Sequence, residues 1–189
     1  MTSSIEPDRL RLRRLATPGL TQAEAAAIRA IMIAAFGADE DERFSDEDWE
    51  HALGGCHFVL ELDGEIVSHA SVVEREVHIG GRPFRAGYVE AVATAPAHQG
   101  GGLGSLVVAD VTAFIRERYE LGVLGTGRHR FYERLGWRTW RGPSSVRTAD
   151  GDRRTPDEDG FILVLETPES ATLDPDAPIS CAWRPGDVW

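Results

Sequence analysis

The sequence predicts an α/β fold in which helices flank a central, twisted, mixed sheet that is mostly antiparallel. Strand-like segments are joined by tight-turn residues, as in antiparallel hairpins, at Asp63-Gly64 and at Gly80-Gly81. Apolar residues recur at helical spacing in two long segments. No internal repeat or linker interrupts the 189 residues, so a single domain over residues 1–189 is expected.

Two helix starts carry the spacing of a capping box, in which a Ser or Thr and an acidic residue three positions later cap each other. The pairs are Thr21 with Glu24 and Ser45 with Asp48. A helix is expected from the first pair to Gly37, and a short one from the second pair to Gly54.

The strands are predicted from alternation or from short apolar runs bounded by turn residues. They cover residues 9–15, 57–62, 65–73, 77–79, 82–94, 121–124, 137–140 and 161–165. A long helix with Leu103, Val107 and Val111 on one face is expected after a glycine-rich turn, and a shorter one over 128–135.

The net charge of −11 arises from two segments, residues 39–50 and 150–189, each with a net charge of −7. Every basic residue is Arg, which excludes a catalytic Lys. An acidic protein binds nucleic acid and anionic membranes poorly, so neither is expected as a partner, whereas a cationic ligand is. The two segments are either solvated loops or the walls of an anionic cleft for a polycation, and charge alone leaves both interpretations open.

The sequence also gives no indication of a signal peptide, a membrane span or a metal site. Residues 1–7 lack the basic head and apolar run of a signal peptide, and no stretch approaches the roughly 18 apolar residues of a membrane span, so a cytoplasmic location is expected. Neither Cys56 and Cys181 nor the six His show metal-ligand spacing. Residues 155–166 match a calcium loop at four positions, but Thr155 replaces the first acid and a strand follows, so no metal is predicted.

A glycine-rich turn lies between an apolar strand and a helix, in the sequence Gln99-Gly100-Gly101-Gly102-Leu103-Gly104-Ser105. Such a turn exposes unpaired backbone N–H groups and the positive end of the helix dipole, which suits a pyrophosphate. A dinucleotide fold would place the turn after the first strand with the spacing G-x-G-x-x-G, and a nucleoside-triphosphate loop would require a Lys. Neither pattern is present, and a plain tight turn is the other alternative.

The pattern Gln-x-x-Gly-x-Gly, at Gln99, Gly102 and Gly104, resembles the acetyl-CoA loop of the GNAT N-acetyltransferases. The apolar strand before it and the amphipathic helix after it follow the order of that family. The resemblance implies a GNAT fold, acetyl-CoA as acetyl donor, and residues 99–105 as its phosphate-binding segment. It also implies that backbone groups of Val92 and Thr94 pair with the pantetheine arm.

Several stretches resemble the aminoglycoside 2′-N-acetyltransferases and together cover the chain from about residue 45 to its end. They are residues 48–55, 87–92, 135–137, 140–146, 154–160 and 181–189. The last stretch is the most specific, because GNAT enzymes in general share no such tail. Two departures bear on substrate choice: Ala182 stands where the family usually has Asp, and the loop at residues 125–127 is short and lacks the family's serines.

The resemblance implies catalytic roles for two residues. Glu90 lies in a mostly apolar strand, where a lone carboxylate is costly, and would contact the substrate and act as general base through a water. Alternatively, Glu90 is a structural residue whose carboxylate is paired with another side chain. Tyr132 would protonate the CoA thiolate, and a core aromatic residue is its alternative. The implied transfer is direct, without an acetyl-enzyme.

The resemblance further implies contacts to the ammonium and hydroxyl groups of an aminoglycoside, with residues 167–189 completing the acceptor site. The contact residues are Asp48, Glu90, Ala91, Thr126, Asp157, Glu158, Asp187 and Trp189, with the register within 157–159 open by one residue. The implied function is antibiotic resistance by acetylation of the 2′-amine, in an enzyme of a type that is often a homodimer. The alternatives are a GNAT enzyme that acetylates kasugamycin or another polyamine, and a CoA-binding sensor without turnover.

Overall fold

The structure is a computed structural model that describes residues 9–37 and 43–189. The helices and strands are β1 (Leu10–Ala16), α1 (Gln22–Phe36), α2 (Asp46–Ala52), β2 (Cys56–Leu62), β3 (Glu65–Ile79), β4 (Arg82–Thr94), α3 (Leu103–Arg118), β5 (Leu121–Gly125), α4 (His129–Glu133), β6 (Arg138–Thr139), β7 (Ser144–Thr148), β8 (Gly151–Arg154), β9 (Ile162–Glu166) and β10 (Ile179–Ala182). The chain divides into two compact units, residues 1–73 with 89–111 and residues 74–88 with 112–189. No helix of the described residues is long and apolar enough to span a membrane.

In the first unit, β1, β2 and β3 are antiparallel neighbours, and both predicted capping boxes are present. Thr21 accepts a hydrogen bond from the Glu24 N–H, and the Glu24 carboxylate accepts one from the Thr21 N–H. Both helices begin and end close to the predicted residues. They enclose a buried apolar core of Ile28, Ile31, Met32, Trp49, Ala52, Val59 and Ala93.

The hairpin of β2 and β3 turns at Asp63-Gly64, as predicted, but its register shifts between Leu60 and Glu61. A β-bulge of this kind adds one residue to one strand, and beyond it every side chain of that strand moves to the other face. As a result His57 pairs with Ser71, and Val59 pairs with His69. Both histidines therefore face the same side of the hairpin.

The strands of the second unit pair in the orders β6-β9-β5-β4 and β3-β10-β7-β8. The pairs β4–β5 and β7–β10 are parallel, and the pairs β3–β10, β5–β9, β6–β9 and β7–β8 are antiparallel. Gly122 of β5 permits close packing, since a Cβ there would lie 2.9 Å from Trp137 and 3.0 Å from Leu165. The predicted α/β class with a mixed, mostly antiparallel sheet is confirmed.

Several elements differ from the sequence prediction. β3 runs unbroken through residues 65–79, where two strands were expected. β7, β8 and β10 were not predicted, because they are short and partly polar; β8 is exposed along its whole length, so no apolar pattern marks it. α4 and β6 are shorter than expected. Strand β9 is present as predicted.

Candidate functional site

The glycine-rich segment of the first unit links β4 to α3. The Gln99 side chain donates a hydrogen bond from Nε2 to the Thr94 carbonyl (3.0 Å), which closes the turn onto the end of β4. Gly100 and Gly102 have φ values of +80° and +84°, and a Cβ at either position would have no atom within 4 Å. Glycine permits this backbone conformation, and the exposed surface at Gly100, Gly101 and Gly102 stays open.

Helix α3 begins directly after this turn, at Leu103. The Leu106 N–H donates to the Gly102 carbonyl (3.2 Å), so the N–H groups before it have no acceptor within the helix. Gly104 and Ser105 belong to this first turn, which contains no acidic side chain. The positive end of the helix dipole and these N–H groups together fit a phosphate group.

The two predicted pantetheine contacts, Val92 and Thr94, lie in the last part of β4. The ladder that β4 forms with β5 covers Ala86–Tyr88 and does not extend to either residue. Thr94 Oγ1 is hydrogen-bonded to Ser68 Oγ (2.9 Å), which ties the end of β4 to β3.

The predicted base Glu90 lies beside a distortion of β4. Its neighbour Ala91 has a φ of +48°, a conformation that costs an L residue about 1 to 2 kcal/mol. Glu90, Ala91 and Val92 are all partly buried, so the alternation of a regular strand is interrupted. Ser71 Oγ donates to the Glu90 carbonyl (3.3 Å), and His69 Nδ1 donates to the Ala91 carbonyl (2.8 Å). Side chains of β3 thus hold the distorted backbone.

Asp48, predicted to contact the acceptor, caps its own helix. Its Oδ2 accepts hydrogen bonds from the Ser45 N–H (2.7 Å) and from the Ser45 hydroxyl (2.8 Å). The structure therefore gives this carboxylate a structural role, and an acceptor contact stays a prediction. Residues 39–42 of the first acidic segment lie outside the described residues.

In the second unit, Glu158 groups with two other carboxylates. Burial raises the pKa of Glu158, and the negative charges of Asp187 and Asp157 raise it further. Glu158 is partly buried, whereas Asp157 and Asp187 are exposed. A cation placed among the three would relieve their mutual repulsion.

Asp159, the next residue, instead holds its own loop. Its Oδ1 accepts hydrogen bonds from the N–H and the hydroxyl of Ser144 (both 2.8 Å), and its Oδ2 accepts one from Arg154 (2.6 Å). Burial by itself would raise the pKa of Asp159, but these hydrogen bonds lower it. In the described part of the chain, no group of three or more His, Cys, Asp or Glu residues could hold a metal ion.

Trp189 packs into the second unit with 5% of its surface exposed. Its Nε1 donates to Thr155 Oγ1 (3.1 Å), which lies 2.7 Å from Ser144 Oγ. A Cβ on Gly125 would lie 3.2 Å from the carbonyl carbon of Trp189, so a glycine suits this close approach. The Trp189 N–H lies 3.4 Å from Asp187 Oδ1. These contacts join Trp189 to the loop that carries Glu158.

Arg75 is a residue that sequence reasoning missed. It donates hydrogen bonds to the carbonyls of Val188 (2.9 Å) and Ala182 (3.0 Å). Its guanidinium carbon lies 4.5 Å from the centre of the buried Tyr88 ring, and that of Arg184 lies 5.4 Å from the same ring. Arg75 thereby holds the segment that contains Asp187, and no local pattern marks a contact across 113 residues.

Tyr132 lies on α4 and is 6% exposed. Its ring meets Phe131 and Trp137 edge-on, with centroids 4.9 and 6.2 Å away. Burial raises the pKa of Tyr132, so its hydroxyl keeps its proton at neutral pH. Thr126 Oγ1 accepts a hydrogen bond from the Arg128 N–H (3.0 Å), which places Thr126 at the turn that leads into α4.

Solved structures show a similar fold. A GNAT family N-acetyltransferase from Escherichia coli, solved in complex with CoA, matches with a TM-score of 0.64 at 15% identity, over 92% of this chain and 89% of that one. A GNAT family acetyltransferase from Brucella melitensis, solved with acetyl-CoA, gives a TM-score of 0.52 at 23% identity, over 81% of this chain and 94% of that one.

Sequence comparison identifies the family. Residues 18–140 match the acetyltransferase (GNAT) domain. An aminoglycoside 2′-N-acetyltransferase from Mycolicibacterium fortuitum is 41% identical over 182 residues, which is 94% of this chain and 91% of that protein. With the glycine-rich turn before α3, these matches show that the chain belongs to the GNAT acetyltransferases and, within them, to the aminoglycoside 2′-N-acetyltransferase family.

Proposed function

We propose that this protein transfers the acetyl group of acetyl-CoA to the 2′-amine of an aminoglycoside. The observation that carries the proposal is the carboxylate cluster of Asp157, Glu158 and Asp187, in a chain 41% identical to an aminoglycoside 2′-N-acetyltransferase. An aminoglycoside carries several ammonium groups, and its charge is complementary to this cluster.

The acceptor side of the proposal rests on the placement of the partly buried Glu158 near Asp187 and Asp157, whose charges help to raise its pKa. A carboxyl group whose pKa is raised by burial and by like charges gains most from an added cation, because the cation opposes the like-charge effect. Asp187 lies in the segment held by Arg75, and Glu158 lies in the loop joined to Trp189. Long-range contacts therefore hold the backbone on both sides of the cluster, at Asp187 and at Glu158.

The donor side rests on the turn before α3. Open surface at Gly100 and Gly102 and the first-turn N–H groups of α3 fit the pyrophosphate of acetyl-CoA. CoA and acetyl-CoA are present in the two GNAT structures compared above. Acetyl-CoA supplies the thioester, and we assign residues 99–105, Val92 and Thr94 to its binding.

The chemistry needs a base and an acid. Glu90 accepts the proton of the 2′-ammonium group, through a water, so that the free amine nitrogen attacks the thioester carbonyl. The new C–N bond forms as the C–S bond breaks, and Tyr132 donates its proton to the thiolate. Tyr132 is protonated at neutral pH, so its hydroxyl carries the proton that this step needs. Each proton transfer contributes about 100- to 10,000-fold to the rate.

The proposal also includes a cytoplasmic location, where acetyl-CoA is available, and a homodimeric assembly of the kind that the family resemblance implies. It names neither nucleic acid nor a membrane as a partner, in keeping with the formal net charge of −11.

The proposal is tested with two matched acceptors, kanamycin B and kanamycin A, which differ only in an amine or a hydroxyl group at 2′. Purified protein is mixed with acetyl-CoA and each acceptor, and the release of free thiol is followed. We expect release with kanamycin B and not with kanamycin A.

Other acceptors separate the alternatives. Equal release with kanamycin A would contradict acetylation at the 2′ position. Release only with kasugamycin or spermidine would move the acceptor to another class of amine. If the protein binds acetyl-CoA but releases no free thiol with any acceptor, the assignment as an enzyme is contradicted and a CoA-binding sensor is favoured.

A further inference from the structure

A chain of hydrogen bonds runs through the first unit from the exposed Gly54, through two buried histidines, to the distorted backbone of β4. The Gly54 N–H donates to Thr17 Oγ1 (2.9 Å), which lies 2.8 Å from His57 Nε2. His57 Nδ1 lies 3.0 Å from His69 Nε2, and His69 Nδ1 lies 2.8 Å from the Ala91 carbonyl. Both rings are fully buried.

The carbonyl of Ala91, together with the neutrality of both rings, fixes the direction of each bond from Ala91 back to Thr17. The Ala91 carbonyl can only accept, so His69 carries its proton on Nδ1. In a neutral ring the other nitrogen then accepts, so His57 donates from its own Nδ1 to His69. His57 Nε2 accepts from the Thr17 hydroxyl, which in turn accepts from the Gly54 N–H. Each donor faces an acceptor along the whole chain.

Both rings are neutral at neutral pH. Burial lowers the pKa of His57 to about 4. Burial also lowers the pKa of His69 to about 3, with a further lowering from His57 and an opposing effect of the Ala91 carbonyl. The ring of Trp49 packs against both, at centroid distances of 6.2 and 6.5 Å. Each histidine therefore has a single N–H and a single acceptor nitrogen.

We propose that His69 is a positioning residue for acetyl transfer, whose Nδ1–H holds the Ala91 carbonyl and thereby orients Glu90, while His57 and Thr17 fix the tautomer of His69. This inference rests on the proposed function through the role of Glu90 as base. No part of it requires His69 to touch the substrate.

The strain at Ala91 explains why such a hold is needed. A φ of +48° within a strand is unfavourable for alanine, so the backbone relaxes towards an extended conformation unless its carbonyl is held. The other His69 tautomer would point a nitrogen lone pair at the Ala91 carbonyl oxygen, which repels it. Relaxation at Ala91 would redirect the adjacent Glu90, and a shift of about 1 Å in a reacting group lowers the rate by about 100-fold.

The direct test compares His69→Asn with His69→Gln. The Asn amide nitrogen occupies the place of Nδ1 and can still donate to the Ala91 carbonyl, whereas the Gln amide occupies the place of Nε2 and cannot. We expect kcat with kanamycin B to stay within about threefold of wild type for His69→Asn and to fall by about 10- to 100-fold for His69→Gln. The KM for acetyl-CoA should be unchanged in both. Equal kcat in the two variants would overturn the proposal.

Thermal unfolding midpoints separate positioning from folding. A structural role alone would lower the midpoint and leave the kcat of the folded protein unchanged. Should His69→Gln not fold, Thr17→Val and Thr17→Ser serve instead, because only Val removes the hydroxyl that fixes His57. We expect kcat a few-fold lower in Thr17→Val than in Thr17→Ser, and equal kcat would again contradict the proposal.

The tautomers can be measured without any acceptor. In protein labelled with ¹⁵N-histidine, we expect NMR to show Nδ1–H on both rings and no titration of either between pH 5 and pH 8. An Nε2–H tautomer at His69, or a charged ring, would overturn the inference. A wild-type protein that acetylates no acceptor would instead overturn the proposed function, whatever the tautomers are.

Discussion

The glycine-rich turn of the first unit and the C-terminal segment of the second unit are held by contacts of very different range. Gln99 closes its turn by reaching Thr94, five residues away. In the second unit, Arg75 reaches Val188 across 113 residues, and Trp189 reaches Thr155 across 34 residues. The glycine-rich turn is therefore a local structure, whereas the C-terminal segment depends on the folding of its whole unit.

The two regions also differ in charge. The first unit buries two neutral histidines, His57 and His69, whose proton order is fixed by hydrogen bonds, and its buried carboxylate Glu61 is paired with Arg13. The second unit includes the carboxylate of Glu158 among other carboxylates. Buried neutral groups maintain a geometry, and carboxylates held near one another favour a cation. We assign the geometry of the reaction to the first unit and the affinity for the acceptor to the second unit. The predictions that follow test this division.

The largest expected effect is a loss of stability on acidification, caused by His57 and His69. Their folded-state pKa values lie near 4 and 3, below the ordinary value of 6.5. Their contribution to the free energy of unfolding is therefore fully present above pH 6.5, and it is lost as the pH falls towards 4 and 3. Well below pH 6.5 the free energy of unfolding should fall by about 1.4 kcal/mol per pH unit for each ring, and between pH 6.5 and pH 5 by about 3 kcal/mol for both together.

Urea unfolding at a series of pH values measures this slope. His69→Asn should remove about half of the histidines' contribution to the pH slope of the free energy of unfolding. An unchanged slope in His69→Asn would show that the buried ring is charged in the folded protein.

The next effect concerns the base of the first region. Glu90→Gln keeps the size of the side chain and removes its ability to accept a proton, so kcat should fall by about 100-fold with little change in the KM for acetyl-CoA. Glu65→Gln, at the exposed first residue of β3, is the matched control. Steady-state kinetics with kanamycin B make the comparison, and a Glu90→Gln enzyme within a few-fold of wild type would remove Glu90 from the chemistry.

The turn and the capping boxes were predictable because their signals are local. The pairs Thr21 with Glu24 and Ser45 with Asp48 specify their helix starts within four residues, and the glycines at 100 and 102 specify a turn. The cluster of Glu158 with Asp187 was implied by a family resemblance alone, because its supporting contacts join distant parts of the chain.

The histidine chain was not predictable for a different reason. A two-residue turn at Asp63-Gly64 without a bulge would place His57 and His69 on opposite faces of the hairpin. The register shift between Leu60 and Glu61 brings them to the same face. Nothing in the local sequence specifies that shift. The strands β7, β8 and β10 were missed because they are short and partly polar, and β10 also pairs only with strands remote in sequence.

A smaller effect should separate the glycine-rich turn from an ordinary turn. Gly102 and Gly64 have nearly equal φ values, +84° and +87°, and open space around them. Replacing either with Ala should lower stability by about 1 kcal/mol. Only Gly102→Ala should raise the KM for acetyl-CoA, by about 10-fold, because its methyl group occupies surface that the phosphates approach. An equal rise in Gly64→Ala would contradict the assignment.

The smallest effect is expected at the carboxylate cluster of Asp157, Glu158 and Asp187 in the second unit. Glu158→Gln removes one of three carboxylates, so the KM for kanamycin B should rise by about fivefold while the KM for acetyl-CoA stays constant. Added salt should reduce the difference, because it screens charges. Glu169→Gln, at an exposed position of the same unit, is the control. A selective rise in the KM for acetyl-CoA would place Glu158 on the donor side and break the comparison.

The central claim is acetylation at the 2′ position, and the product itself tests it most directly. After turnover of kanamycin B with acetyl-CoA, two-dimensional NMR of the purified product identifies the acylated nitrogen. The account predicts a single acetyl group on the 2′-nitrogen. An acetyl group on any other nitrogen of the same molecule would contradict it.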